Sequence, residues 1–302
     1  MEHFADRLAH AVRRTGNAVC VGLDPRWKNL PEMFRRGHDR SYSSVADAYA
    51  RFCNEIVDVV GSLVPVVKVQ AAFFEELGPS GMAAMSKVIA HAQMRGPLVI
   101  VDGKRNDIGS TAEAYARGYL GREQSAWHAD ALTVSPYLGD DSLTPFIETA
   151  AERGAGVFVL AKTSNPGGQF LQDLSSGGEK IYRRVAAHIE QLAAASAGEC
   201  GYGVEGAVVG ATYPEQLIEL RRTMPHTWFL VPGFGSQGGT AGDVAGAFDS
   251  RGLGAIVNNS RNIIFAHERP EFAQRFSPDR WQYAIEAATR HMIDELNAVI
   301  QR

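Results

Sequence analysis

The chain has 302 residues, 45% hydrophobic and 21% charged, enough apolar material for one large core. A formal charge of -4 and a sequence pI near 6.1 argue against a nucleic-acid or anionic-membrane partner, each of which selects a basic stripe. Cys20, Cys53 and Cys200 lie far apart with no CxxC pair, which suggests neither a zinc ribbon nor a disulfide framework and fits a reducing cytoplasm.

The first element, MEHFADRLAHAVRRTG, reads as an amphipathic helix, because acids and bases interrupt any apolar stretch a signal peptide would need. No apolar run approaches the roughly 18 residues of a membrane span, so a soluble cytoplasmic protein is expected. Strand-like runs then follow: AVCVGLD (18–24), VPVVKVQ (64–70), PLVIVDGK (97–104), ALTVSPY (131–137), GVFVLAKT (156–163), VEGAVVGA (204–211), TWFLVPGFG (227–235) and LGAIVNNSR (253–261). Helix-like segments lie between them, as at 45–60, 80–93, 141–154 and 179–196. Near-continuous apolar strands mark parallel sheets buried on both faces. Eightfold alternation predicts the α/β class and a (β/α)8 TIM barrel; an open doubly wound sheet is the alternative that the count of eight disfavours. Three stretches stand outside the alternation: an insertion after strand one (25–43), a loop at 164–178 and a tail helix at 278–301. With no repeat or flexible linker, residues 1–302 are expected to form a single domain. The barrel would cover about 1–265, and a helical extension over about 266–302 would pack outside it.

Barrels build their active sites at the C-terminal strand ends. Here those ends carry Asp24, Lys68 and Gln70, Asp102 and Lys104, Ser135, Lys162 to Ser164, Gly233, and Asn258 to Arg261. Strand side chains alternate, so Asp102 and Lys104 project to one side and Arg105 away. Lys68, on the adjacent strand two, completes a Lys-Asp-Lys mesh with Asp107 as a possible fourth member. Buried charges persist only when paired; a salt-bridged rim that merely closes the barrel is the alternative to a functional cluster. Asp107 and Thr111 are four apart where NDIGSTAEAYA begins a helix, so they share a face. Asp107 is either the helix N-cap or, with Thr111, a ligand contact in a neighbouring subunit.

The G-x-G-x-x-G within PGFGSQGG (232–239) is not a dinucleotide fingerprint, which belongs in the first βα unit with an acid about 20 residues on. Glycine turns after strands seven and eight are where barrels hold a phosphate on backbone N–H groups. Arg261 is placed for a forked contact to it, with a surface salt bridge as the alternative. None of the nine histidines shows metal-ligand spacing, so no metal is expected. No GxSxG elbow exists, which argues against a serine hydrolase. Trp127, Trp228 and Trp281 are expected to serve packing.

Asp102, Lys104, Asp107, Ile108 and Thr111 read D-x-K-x-x-D-I-x-x-T, which resembles the signature of the orotidine 5'-phosphate decarboxylase family. The similarity extends through CVGLDP (20–25), Lys68, TSNPG (163–167), VPGFGSQGG (231–239) and IVNNSRNI (256–263), in the family's order and spacing. The insertion after Pro25 and the long tail resemble the family's longer bacterial subgroup. The resemblance implies loss of CO2 from orotidine 5'-phosphate to give UMP, the last step of pyrimidine biosynthesis, with no cofactor or metal. It implies that Lys104 protonates the C6 carbanion and that Asp102 sits beside the departing carboxylate. Lys68 and Asp24 would hold the ribose and the charge network, and Ser164 would meet the pyrimidine amide. Gln237 and Arg261 would grip the phosphate, with Gly235 in the same turn. A homodimer is implied, with Asp107 and Thr111 reaching the partner's site. The family's strand-eight pattern V-x-G-R is replaced here by Asn258, Asn259 and Ser260 before Arg261. Two alternatives stand beside this reading. One is a Mg2+-dependent sugar-phosphate aldolase or decarboxylase on a related barrel, which needs a further carboxylate at the metal. The other is a non-catalytic phosphometabolite-binding protein.

Overall fold

The computed structural model describes residues 2–37, 39–121, 124–235 and 238–300. Within them eight parallel strands close a barrel: β1 (Val19–Leu23), β2 (Val66–Gln70), β3 (Leu98–Arg105), β4 (Ala131–Val134), β5 (Gly156–Lys162), β6 (Glu205–Val209), β7 (Phe229–Val231) and β8 (Ala255–Asn259). Sequential strands are neighbours throughout, and β8 pairs with β1 through Val19 and Val257. The open doubly wound sheet is thereby excluded. Seven strands fall inside their expected runs, and β3 extends one residue past its run, to Arg105.

The apolar strands are buried on both faces because two layers cover them. Inside, Cys20, Val66, Leu98, Ile100, Phe158, Trp228, Leu230 and Ile256 fill the barrel. The first helix, α1 (Phe4–Thr15), joins that inner cluster through Phe4, Leu8 and Val12. The Phe4 ring meets Phe158 edge-on at 6.1 Å and occupies the space where a side chain on Gly156, the first residue of β5, would stand. The amphipathic N-terminal segment is therefore the plug of the barrel's bottom. Outside, the major helices are α2 (Tyr42–Val60), α3 (Gly78–Arg95), α4 (Gly109–Tyr119), α5 (Thr144–Glu152), α6 (Ile181–Ala195) and α7 (Pro214–Thr223). Their apolar faces meet the outward side chains of the strands, such as Val21, Val67, Val99 and Val157.

The insertion and the tail meet each other. Phe34, on a short helical turn of the insertion, and Trp281, at the start of the tail helix α8 (Trp281–Val299), are fully buried with ring centroids 5.5 Å apart. Both pack on Phe52 of α2, which stacks on Phe265 beyond β8. Truncating such a buried aromatic costs about 3–5 kcal/mol, so the tail is part of the wall and not an appendage. Trp228 is likewise fully buried, and Trp127 stacks on Tyr119. No helix among the described residues is long and apolar enough to cross a membrane.

Candidate active site

One cavity of about 610 Å³ opens at the C-terminal end of the barrel. Asp24, Lys68, Gln70, Asp102, Lys104, Thr133, Ser164 and Arg261 all line it. Six strand ends thus deliver polar residues to a common space, while β6 and β7 add Val208, Leu230 and Pro232 to its wall. Gly22 of β1 permits the close approach of β8. A Cβ there would stand 1.9 Å from the Ser260 hydroxyl oxygen, which fills the position.

Asp102 is the centre of the charge network. It is 8% exposed, and all its contacts are donors. Lys68 Nζ donates to Oδ2 at 2.8 Å and Gln70 Nε2 to the same oxygen at 3.0 Å. Lys104 Nζ donates to Oδ1 at 2.7 Å and the Thr133 hydroxyl to that oxygen at 2.9 Å. The sheet makes this possible, since Gln70 and Asp102 are register partners on β2 and β3. Burial alone would raise the Asp102 carboxyl, but the Lys68 and Lys104 ammonium groups hold it well below the usual carboxylate range. For Lys68 burial works against the charge, yet Asp102 and Asp24 outweigh it and push the ammonium above its ordinary value. Burial also pushes the Cys20 thiol, near this network, up to about 12, so it stays neutral.

These directions fix a pH dependence. Asp102 titrates near 3.9 in an unfolded chain. Because folding lowers its pKa, the stability it contributes is complete above that value and is lost as pH falls through the folded value. The difference in unfolding free energy between wild type and Asp102→Asn is therefore expected to be constant from about pH 5 to 9 and to narrow below about pH 4. Urea denaturation at several pH values measures it, and a difference that widens in acid would contradict the pairing.

Other expected site residues divide into those the fold brings in and those it does not. Asp24 lies just beyond β1, and its Oδ1 is buried with no hydrogen-bond partner among the described residues. Ser164 lines the cavity and its carbonyl accepts from the Thr212 hydroxyl at 3.0 Å. The far half of its loop is anchored: Lys162, fully buried against Tyr213, donates to Asp173 at 2.8 Å, and Gln172 pairs with Thr163. Arg105 turns away, as expected, to Glu75 and the Tyr119 hydroxyl.

Two expectations need correction. Asp107 is not the helix N-cap. Helix α4 begins at Gly109 with Ile108 as N-cap, and Asp107 Oδ1 accepts from the Ile108 N–H at 2.9 Å. Asp107 therefore precedes the helix, and the four-residue spacing to Thr111 does not itself set a shared helical face. Gly235 does not line the main cavity. Its φ is +69°, its N–H donates to the Gly239 carbonyl at 2.8 Å, and it faces a separate depression with Asn259 and Asn262. That amide is occupied within the turn. Gln237 lies outside the described residues.

Asp107 and Thr111 also do not line the cavity of their own chain. Thr111 instead edges a groove of about 330 Å³ on α4, with Ala114, Tyr115, Gly118, Tyr119 and Trp127. The sequence reading missed several cavity residues, and two of them are polar groups of consequence. Thr133, and not Ser135, is the contribution of β4, and Arg26 enters from the insertion beside Phe73.

Fold and site together define a (β/α)8 barrel protein with two ammonium groups held by a buried carboxylate at its mouth. Residues 17–276 match the model of the Orotidine 5'-phosphate decarboxylase / HUMPS family. An orotidine 5'-phosphate decarboxylase of Rhodopirellula baltica is 56% identical over 300 residues, 98% of this chain and 99% of that one. A solved structure of the Leishmania donovani OMP decarboxylase superposes with a TM-score of 0.75 at 32% identity, covering 98% of both chains. The chain also superposes on Leishmania donovani UMP synthase (TM-score 0.77, 33% identical), where it spans 99% of itself and 57% of that chain. The chain belongs to the orotidine 5'-phosphate decarboxylase family. It is a carboxy-lyase that converts orotidine 5'-phosphate to UMP and CO2.

Proposed function

We propose that this chain decarboxylates orotidine 5'-phosphate without cofactor or metal, through a C6 carbanion that Lys104 stabilises and protonates. The observation that carries the reading is the state of Asp102: four donors saturate both its oxygens, and one of them, Lys104, keeps 49% of its side chain exposed at the cavity wall. Loss of CO2 from C6 leaves a carbanion whose electron pair lies in the ring plane, orthogonal to the ring π-system, so it cannot be spread by resonance. An ammonium already aimed at that carbon stabilises the charge without reorganisation and then supplies the proton. Lys68, buried and held charged, fixes the second oxygen so that Asp102 keeps its orientation. A Mg2+-dependent relative would need carboxylate oxygens free for the ion, and those of Asp102 are engaged by donors.

Asp24 offers its unpartnered oxygen to a ribose hydroxyl, since a buried acceptor calls for a donor. Ser164 meets the pyrimidine edge, and Arg261 grips the phosphate. Asp107 and Thr111 act in the site of a partner subunit. Supporting this, they stand off their own cavity beside exposed Ile108 (58%) and Tyr115 (37%), an apolar face of the kind subunits bury.

Arg261→Ala tests the placement of the substrate. Its KM is expected to rise about ten- to a hundredfold, the worth of a charge-assisted contact, with kcat within a few-fold of wild type. An unchanged KM would put the phosphate elsewhere and overturn the assignment.

A further inference from the structure

The ladder between β3 and β4 is broken where the charges stand. Val101 pairs with Leu132 and Arg105 with Val134, so Asp102, Gly103 and Lys104 all face Thr133 alone. Such a bulge removes ladder hydrogen bonds and re-aims side chains. Lys104 takes φ +45°, a left-handed conformation that costs a non-glycine residue about 1 kcal/mol or more. Something must hold it there.

Thr133 does so with one hydroxyl. It is 1% exposed, and its Oγ1 accepts the Lys104 main-chain N–H at 2.9 Å. An N–H can only donate, so the hydroxyl hydrogen is free for Asp102 Oδ1, also at 2.9 Å. Lys104 Nζ reaches the same Oδ1 at 2.7 Å. A closed ring results: Lys104 main chain, Thr133 hydroxyl, Asp102 carboxylate, Lys104 ammonium. We propose that Thr133 is a positioning residue for the reaction, whose hydroxyl replaces the missing ladder partner and sets where the Lys104 ammonium points. The inference rests on the reading that Lys104 is the proton donor. Without the hydroxyl, the Lys104 N–H loses its partner and the main chain is released toward an ordinary strand conformation. The ammonium then swings off the line to C6, while the phosphate and ribose contacts stay.

The test is the set Thr133→Val, Thr133→Ser and Lys104→Ala, assayed for kcat, for UMP dissociation constant by titration, and for thermal melting. Thr133→Val is expected to lower kcat roughly ten- to a hundredfold, the scale of a hydrogen bond to a charged group, with UMP affinity within about threefold. Thr133→Ser, which keeps the hydroxyl, is expected to stay within a few-fold of wild type. If Thr133→Val does not fold, Thr133→Ala replaces it with the same expectation. Wild-type kcat in Thr133→Val, beside an inactive Lys104→Ala, overturns this inference and leaves the proton donor standing. Equal loss of kcat and UMP affinity, or a Thr133→Ser as impaired as Thr133→Val, reduces Thr133 to packing and also overturns it. Turnover retained in Lys104→Ala rejects the underlying reading and this inference with it.

Discussion

Replacing Lys104 by alanine is expected to abolish turnover while UMP binding survives. In the proposed mechanism the lysine serves twice in one step, as the cation facing the developing carbanion and as its acid. A positioned acid contributes about 10²–10⁴-fold and a preorganised electrostatic donor about 10²–10³-fold, so a loss of at least about 10⁴ in kcat is expected. The protein should tolerate the change. Asp102 keeps Lys68, Gln70 and Thr133 as partners, so no bare buried charge is created. Ground-state binding should tolerate it too, because Arg261, Asp24 and Ser164, the cavity residues proposed to hold the substrate, are untouched. Steady-state assays with a UMP titration check both halves, and turnover near wild type would reject the assignment.

Mixing two inactive proteins should restore activity. Lys104→Ala subunits carry an intact Asp107, and Asp107→Ala subunits an intact Lys104. If each site draws its lysine from one chain and Asp107 from the other, a mixed dimer holds one complete site and one doubly deficient site. Random reassociation makes half the dimers mixed, so activity should approach roughly a quarter of wild type. Each parent alone should stay inactive. The expectation rests on the proposed dimer, and the position of Asp107 and Thr111 off the cavity that holds Asp102 and Lys104 supports it. No recovery after subunit exchange would remove the cross-subunit role.

Much of this was legible in the sequence because barrel physics is local. A strand covered on both faces must be apolar almost throughout, so eight short Val- and Ile-rich runs announced eight strands. Their polar last residues announced the mouth. Lys68 beside Asp102 followed from strand adjacency alone. What stayed hidden depends on contacts between distant stretches. Nothing near Phe34 indicates that it will meet Trp281. Thr133 sits in ALTV, where a single hydroxyl looks like an ordinary strand threonine, and its role exists only because β3 bulges opposite it. That bulge also means strict alternation was not the full reason for Lys104 facing the cavity, since its main chain leaves the strand conformation. Helix α4 starts later than the pattern suggested because Asp107 satisfies the Ile108 N–H from outside the helix.

The most direct measurement is an ultraviolet assay of orotidine 5'-phosphate with the purified protein in excess EDTA. Rapid conversion to UMP, unchanged by later addition of Mg2+, is the predicted result and shows that the protein's own groups suffice for the chemistry. Conversion that appears only when Mg2+ is restored would contradict a metal-free lysine mechanism.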